Sequence, residues 1–221
     1  MSQRLVLIHT VPSLVELFGG LCSEILPGVQ VIHVADQILL THILEQGGPF
    51  PAIYQRVAEH VVAAEAVGAS AVLCTCSSIS PCVDVAKSMV SIPVLKVDEA
   101  MVDRAIELGT DIGVIATVST TLGPTTELLQ KHASVTGKAV KVKAVLCEGA
   151  YDALFAGDLE THDRIIIQHL RKLVAQVDVI LLAQASMARV LDKIPAEEKQ
   201  APILCSPRLA VERTRDVLAR G

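Results

Sequence analysis

The chain has 221 residues, 51% hydrophobic and 2% aromatic with no Trp, so Val, Leu, Ile and Ala must build the core of one domain or two small ones. A formal net charge of -5 without a dense Lys/Arg block argues against nucleic acid or an anionic membrane as partner and favours a small molecule. No leader-like start is visible and no apolar run reaches the roughly 18 residues of a membrane span, which predicts a cytoplasmic protein whose six Cys are reduced thiols.

In chain order, short β-branched runs predict strands at Leu5–His9, Val29–Val34, Ala71–Thr75, Pro93–Leu95, Ile112–Ala116, Val140–Leu146, Val179–Leu182 and Pro202–Leu204. Helical periodicity falls between them, at Ser13–Leu26, Ala52–Val67, Asp98–Leu108, Thr121–Ala133, His162–Val174 and Pro207–Arg220. Ser206-Pro207 has the form of an N-cap followed by proline in the first turn. This alternation is that of an α/β protein with a parallel sheet covered by helices.

The pattern also occurs twice. Ile8-His9-Thr10-Val11 returns as Ile115-Ala116-Thr117-Val118, about 107 positions on. Leu73-Cys74-Thr75-Cys76-Ser77-Ser78-Ile79 aligns with Leu181-Leu182-Ala183-Gln184-Ala185-Ser186-Met187 at an offset of 108. Pro93-Val94-Leu95 returns as Pro202-Ile203-Leu204 at 109. Three ordered matches at nearly one offset predict two similar doubly wound, flavodoxin-like lobes related by a pseudo-two-fold axis. The predicted lobes are residues 1–97 with 207–221, and residues 98–206. Ligands of open parallel sheets bind beyond the carboxyl ends of the strands. Thr10, Cys76, Thr117 and Gln184 all occupy such ends, and a cleft between the lobes is expected to bring them together.

Cys76 stands where a strand gives way to Ser77-Ser78-Ile79-Ser80, a segment expected to open a helix. Backbone N–H groups and the helix dipole there should lower its pKa and favour thiolate. The same N–H groups, with the hydroxyls of Ser77 and Ser78, suit a carboxylate. A base beside a carboxylate cradle fits proton chemistry at the adjacent carbon, with the loops Thr10–Ser13 and Thr117–Thr121 supplying donors for the enolate-like charge. A free cysteine is also commonly just a small buried hydrophobe. Cys74, Cys76 and Cys82 lack the His or second cysteine pair of a zinc site, so no metal is expected.

These residues resemble the aspartate/glutamate/hydantoin racemase superfamily over nearly the whole chain. Cys76-Ser77-Ser78 is similar to its first Cys-Asn-Thr motif, Gly113-Val114-Ile115-Ala116-Thr117 with Thr120 to its central carboxylate-binding loop, and His9-Thr10 falls where glutamate racemases carry Asp-Ser. Leu182-Ala183-Gln184-Ala185-Ser186-Met187 resembles the second cysteine motif, with Gln184 in place of the cysteine. The resemblance implies a cofactor-independent racemase, epimerase or isomerase acting next to the carboxylate of a small amino acid, hydantoin or related acid.

Cys76 is then the acid/base, and Thr10, Ser13, Ser77, Ser78, Thr117, Thr120 and Ser186 are the substrate anchors. A carboxamide has no useful acidity near neutrality, so Gln184 is expected to bond a substrate oxygen, and Glu148, His9 or water to serve the opposite face. Two alternatives remain. One is a single-cysteine decarboxylase of malonate type, and the other a non-catalytic carboxylate-binding protein. Exposed apolar helix faces leave room for a homo-oligomer.

Overall fold

The computed structural model describes residues 3–220. Within them the chain divides into two compact units, one running to Glu99 and resuming at Pro207, the other spanning Ala100–Ser206.

The first unit holds a four-stranded parallel sheet in the order β2-β1-β3-β4, formed by β1 (Arg4–His9), β2 (Gln30–Ala35), β3 (Ala71–Cys74) and β4 (Val94–Lys96). Parallel sheets are covered on both faces, so their inner strands read as unbroken apolar runs. Leu5 to Ile8 and Ala71 to Cys74 are buried without interruption, whereas the edge strand β2 is only half-buried. Helices α1 (Leu14–Ile25), α2 (Gln37–Gln46), α3 (Pro51–Ala66), α4 (Ser80–Ala86) and, in chain order last, α9 (Ser206–Leu218) belong to this unit. Leu39 and Ile43 of α2, Val57 and Val61 of α3 and Val83 of α4 pack with Val6, Ile8 and Val72 in one core.

α2 starts where the Asp36 carboxylate accepts from Ile38 N at 3.2 Å, and it stops at Gly47, whose φ of 74° is left-handed. The same carboxylate pairs with Arg56 and, at 2.7 Å, with His60, which ties α2 to α3.

The second unit repeats the plan with the order β6-β5-β7-β8, from β5 (Asp111–Ala116), β6 (Lys141–Leu146), β7 (Val179–Leu182) and β8 (Ile203–Cys205). It carries α5 (Glu99–Leu108), α6 (Ser119–Val135), α7 (Ala150–Phe155) and α8 (Leu159–Leu173). Lys141 and Lys143 stand exposed on its edge strand β6, a charge pattern that discourages pairing with another chain. Gly113 in β5 lets α8 approach closely, because a Cβ there would meet Leu173 Cδ2 at 2.6 Å.

The α/β class and the two parallel sheets of like strand order agree with the sequence-based reading, and every strand starts and ends within one residue of its expected limits. Among the helices, α2, α4 and α7 add to those expected, and α6 begins two residues before Thr121.

Candidate active site

In both sheets the chain leaves the first strand to one side and later returns to its other side. The carboxyl ends of β1 and β3, and those of β5 and β7, therefore flank a topological switch point, the position where open α/β sheets bind ligands. Thr10 and Cys76 follow β1 and β3, and Thr117 and Gln184 follow β5 and β7.

Cys76 keeps an extended backbone (φ -132°, ψ 123°) before a 3-10 turn, Ser77–Ile79, that leads into α4. Its sulfur lies among donors: the hydroxyls of Thr10 and Ser78 and the N–H groups of Ser78 and Ile79 all favour the thiolate. Thr10 Oγ1 is buried and has no oxygen or nitrogen partner, so the thiol is its polar neighbour. Burial outweighs these donors and pushes the Cys76 thiol up. The expected depression of its pKa is thus corrected. The short turn supplies donors, as expected, but Cys76 is partly buried against the apolar core, and desolvation of the anion dominates. At neutral pH the proton rests on sulfur, and the donors lessen the cost of removing it.

His9 is fully buried at the end of β1. Its Nδ1 lies 2.8 Å from Thr75 Oγ1 and its Nε2 2.9 Å from His33 Nδ1. Thr75 Oγ1 donates to the Ile8 carbonyl at 3.1 Å, so it accepts from His9 Nδ1–H, and His9 Nε2 then accepts from His33 Nδ1–H. Burial, with the His33 charge, lowers the His9 pKa to about 4. With both ring nitrogens committed, His9 has no free lone pair for a substrate proton. Its chemistry is that of a neutral relay between β2, β1 and β3.

At the second switch point Gln184 Oε1 accepts from Thr117 N at 2.5 Å and from Thr117 Oγ1 at 2.8 Å. The strand-end threonine and the carboxamide therefore form one closed pair, and Gln184 retains its NH2 group as a donor. Thr120 Oγ1, in the first turn of α6, is buried without a hydrogen-bond partner. Ser186 is partly buried in the 3-10 segment Ala185–Lys193, and Ser13 is exposed ahead of α1 with no side-chain capping bond. Glu148 is exposed beyond the edge strand β6, one strand removed from the β5/β7 switch point.

Two acidic residues not anticipated from the sequence stand out. Asp98 is fully buried beyond β4, beside the Ser77 hydroxyl, and burial pushes its carboxyl up. Asp163 on α8 bonds His162 Nδ1 at 2.8 Å and pairs with Lys193 at 2.6 Å and Arg189 at 3.3 Å, fastening the segment that follows Gln184. A strand-end or helix-start Asp looks like any solvated carboxylate in sequence, and only register could have marked Asp98. Cys74 pairs with Lys96, so Cys76 and Asp98 each lie two residues past a matched pair of neighbouring strands.

Among the described residues no three His, Cys, Asp or Glu side chains gather as metal ligands, and no helix is long and apolar enough to cross a membrane.

Residues 42–214, more than half of the chain, match the family model for Asp/Glu/Hydantoin racemase. No curated protein matches the sequence. Among solved structures, the chain is similar to the allantoin racemase from Klebsiella pneumoniae, with 18% identity, 100% of this chain and 89% of that one covered, and a TM-score of 0.69. It is similar as well to the glutamate racemase from Francisella tularensis in complex with D-glutamate, at 16% identity over 99% of this chain and 82% of that one, TM-score 0.74. The aspartate racemase of Picrophilus torridus matches at 12% identity over 97% and 94% of the two chains, TM-score 0.70. At such identities the likeness is one of fold.

Proposed function

The chain belongs to the Asp/Glu/Hydantoin racemase family, and from that membership we propose that it is a cofactor-independent isomerase moving a proton at the carbon next to the carboxylate of a small acid, with Cys76 as acid/base. The observation that carries this reading is the ring of donors around one strand-end thiol, from Thr10, Ser78 and Ile79. A sulfur in that setting can part with its proton and take one back, which an acid/base at an α-carbon must do. Amino acids, hydantoins and allantoin-like ureides are the substrate classes to test first, because the structurally similar proteins act on such compounds by their names.

The enolate-like charge that develops needs fixed donors. Thr10, Ser77 and Ser78 are the proposed suppliers beside Cys76, with Ser13 at the margin; at the β5/β7 switch point Thr120 and Ser186 are the proposed substrate donors, while Thr117, whose N–H and O–H already bond Gln184 Oε1, holds that side chain in place. Gln184 contributes its NH2 group and no proton transfer. His9 is held neutral and committed to its partners, so solvent is the better proton source for the opposite face, and Glu148 remains a candidate only as an exposed carboxylate.

The experiment is incubation of these compounds with the protein in heavy water, reading deuterium at the α-carbon. Exchange is expected with at least one class and should fall by about 100-fold or more in Cys76→Ala. Exchange that survives the substitution would remove Cys76 from the reaction.

The closed Thr117–Gln184 pair favours a second reading, because it puts two non-ionisable side chains at the ends of β5 and β7. In a malonate-type decarboxylation the carbon–carbon bond breaks, carbon dioxide leaves, and the electron pair stays on the α-carbon. The Cys76 S–H proton then passes to that carbon, and water reprotonates the sulfur. Release of carbon dioxide from substituted malonates separates this reading from the first.

A further inference from the structure

Asp98 has no part in the proton transfer just described, yet it is an ionisable side chain buried next to the loop that carries Cys76. It is fully buried, and neither carboxyl oxygen completes a well-aligned hydrogen bond. The polar group bearing on it most is the Ser77 hydroxyl. The charged neighbours are occupied elsewhere. Lys96 on β4 is 2.7 Å from Asp84 of α4, and Glu99 at the start of α5 pairs with Lys87 at 2.8 Å and accepts from Lys96 N at 3.3 Å. On the neighbouring strand Cys74 is the register partner of Lys96, and Cys76 follows the end of β3. The Lys96 charge still draws Asp98 toward its ionised form, but burial outweighs it and pushes the carboxyl up.

A hydroxyl has one proton to give. Beside an ionised Asp98, Ser77 spends it on that carboxylate and turns only lone pairs elsewhere. Beside a neutral Asp98, whose own O–H can donate to Ser77, the serine proton becomes available to another acceptor. We infer that Asp98 is a positioning residue whose protonated carboxyl sets Ser77 as a hydrogen-bond donor to the anionic group of a ligand at Cys76. The inference rests on the reading of the Cys76 loop as a carboxylate site. It adds that this site recognises its anion only while Asp98 is neutral, and that recognition weakens as Asp98 loses its proton.

Two alkylating agents of nearly equal size test this without knowledge of the substrate. Iodoacetate bears a carboxylate beside its reactive carbon, and iodoacetamide a neutral amide. In each case the Cys76 thiolate displaces iodide, an S–C bond forming as the C–I bond breaks. The rate of each at Cys76 is read by mass spectrometry of the peptide that contains it, across a pH series. The thiolate fraction enters both rates equally and cancels in their ratio.

For the unaltered protein the ratio of iodoacetate to iodoacetamide should be high at low pH and fall by about tenfold as Asp98 ionises, the fold-change expected for a lost charge-assisted hydrogen bond. Asp98→Asn, whose amide N–H can donate to Ser77 and never ionises, should hold the ratio at its low-pH level throughout. Ser77→Ala should lower the low-pH ratio even though Asp98 is intact, and it keeps the test open should the Asp98 variant fold poorly. A ratio that falls equally in Asp98→Asn, or one that is high and flat in the unaltered protein, overturns the role of Asp98 while sparing the carboxylate site. No preference for iodoacetate at any pH overturns both.

Discussion

Lowering the pH from 6.5 to 4 should cost this protein about 3 kcal/mol through His9. The unfolded chain protonates that residue near its ordinary value of 6.5, whereas the folded chain, with the ring buried and facing His33, resists down to about 4. A histidine with a depressed folded pKa contributes stability that is present above the unfolded value and lost as pH falls toward the folded one. Each pH unit in that window is worth about 1.4 kcal/mol. The structural cause is explicit: a proton added at His9 Nε2 would meet the N–H that His33 Nδ1 already directs at it across 2.9 Å. Burial lowers the His33 pKa as well, so it acts in the same direction. Urea unfolding of the unaltered protein and of His9→Gln, repeated at intervals between pH 7 and 4, gives the answer as a difference of slopes. The variant's lower overall stability does not enter that difference. Carboxylates that lose their partners in acid act on both proteins and also cancel. Parallel curves would refute the buried, neutral relay.

Gly113→Ala should destabilise the fold by about 2 kcal/mol, because the new methyl group meets Leu173 at 2.6 Å in a packed interior; urea midpoints check this, and an unchanged midpoint would show that α8 moves aside freely. Asp163→Asn should cost about 2 kcal/mol, since Lys193, Arg189 and buried His162 lose their shared carboxylate. Hydrogen exchange should then quicken along Ala185–Lys193, and unchanged protection there would refute the fastening role given to Asp163. Gln184→Cys introduces a thiol at the end of β7 and removes the acceptor of two Thr117 bonds. The loss of both bonds should destabilise the fold by about 1 kcal/mol, which urea midpoints measure, and an unchanged midpoint would contradict the closed pair.

The strands were legible because burial on both faces leaves continuous apolar runs, as at Leu5–Ile8 and Val179–Leu182. Helix α2 is not legible in the sequence although its signals are ordinary, Asp36 before it and Gly47 after it, because Gln37–Gln46 lacks a clean apolar stripe. α4 and α7 are only seven and six residues long, too short for periodicity to register. At the site, position along a strand carried most of the information, and it brought Thr10 and Cys76, then Thr117 and Gln184, to the ends of adjacent strands. Energetic sign did not follow from position. A thiol at the start of a turn gains donors, and how deeply it is buried decides whether its acidity rises or falls. Pairings between distant positions, such as His9 with His33 and Ser77 with Asp98, depend on register and side-chain rotamer, which no local pattern encodes.

Central to this account is the claim that Cys76 exchanges its proton with a carbon of the substrate. The most direct measurement is a crystal structure with a carboxylate that the protein has been shown to exchange, read as the separation between the exchanging carbon and Cys76 Sγ. The account predicts about 3.5 Å, with the Ser77 hydroxyl on the carboxylate. A ligand bound with its α-carbon beyond reach of that sulfur, while exchange proceeds, would contradict it.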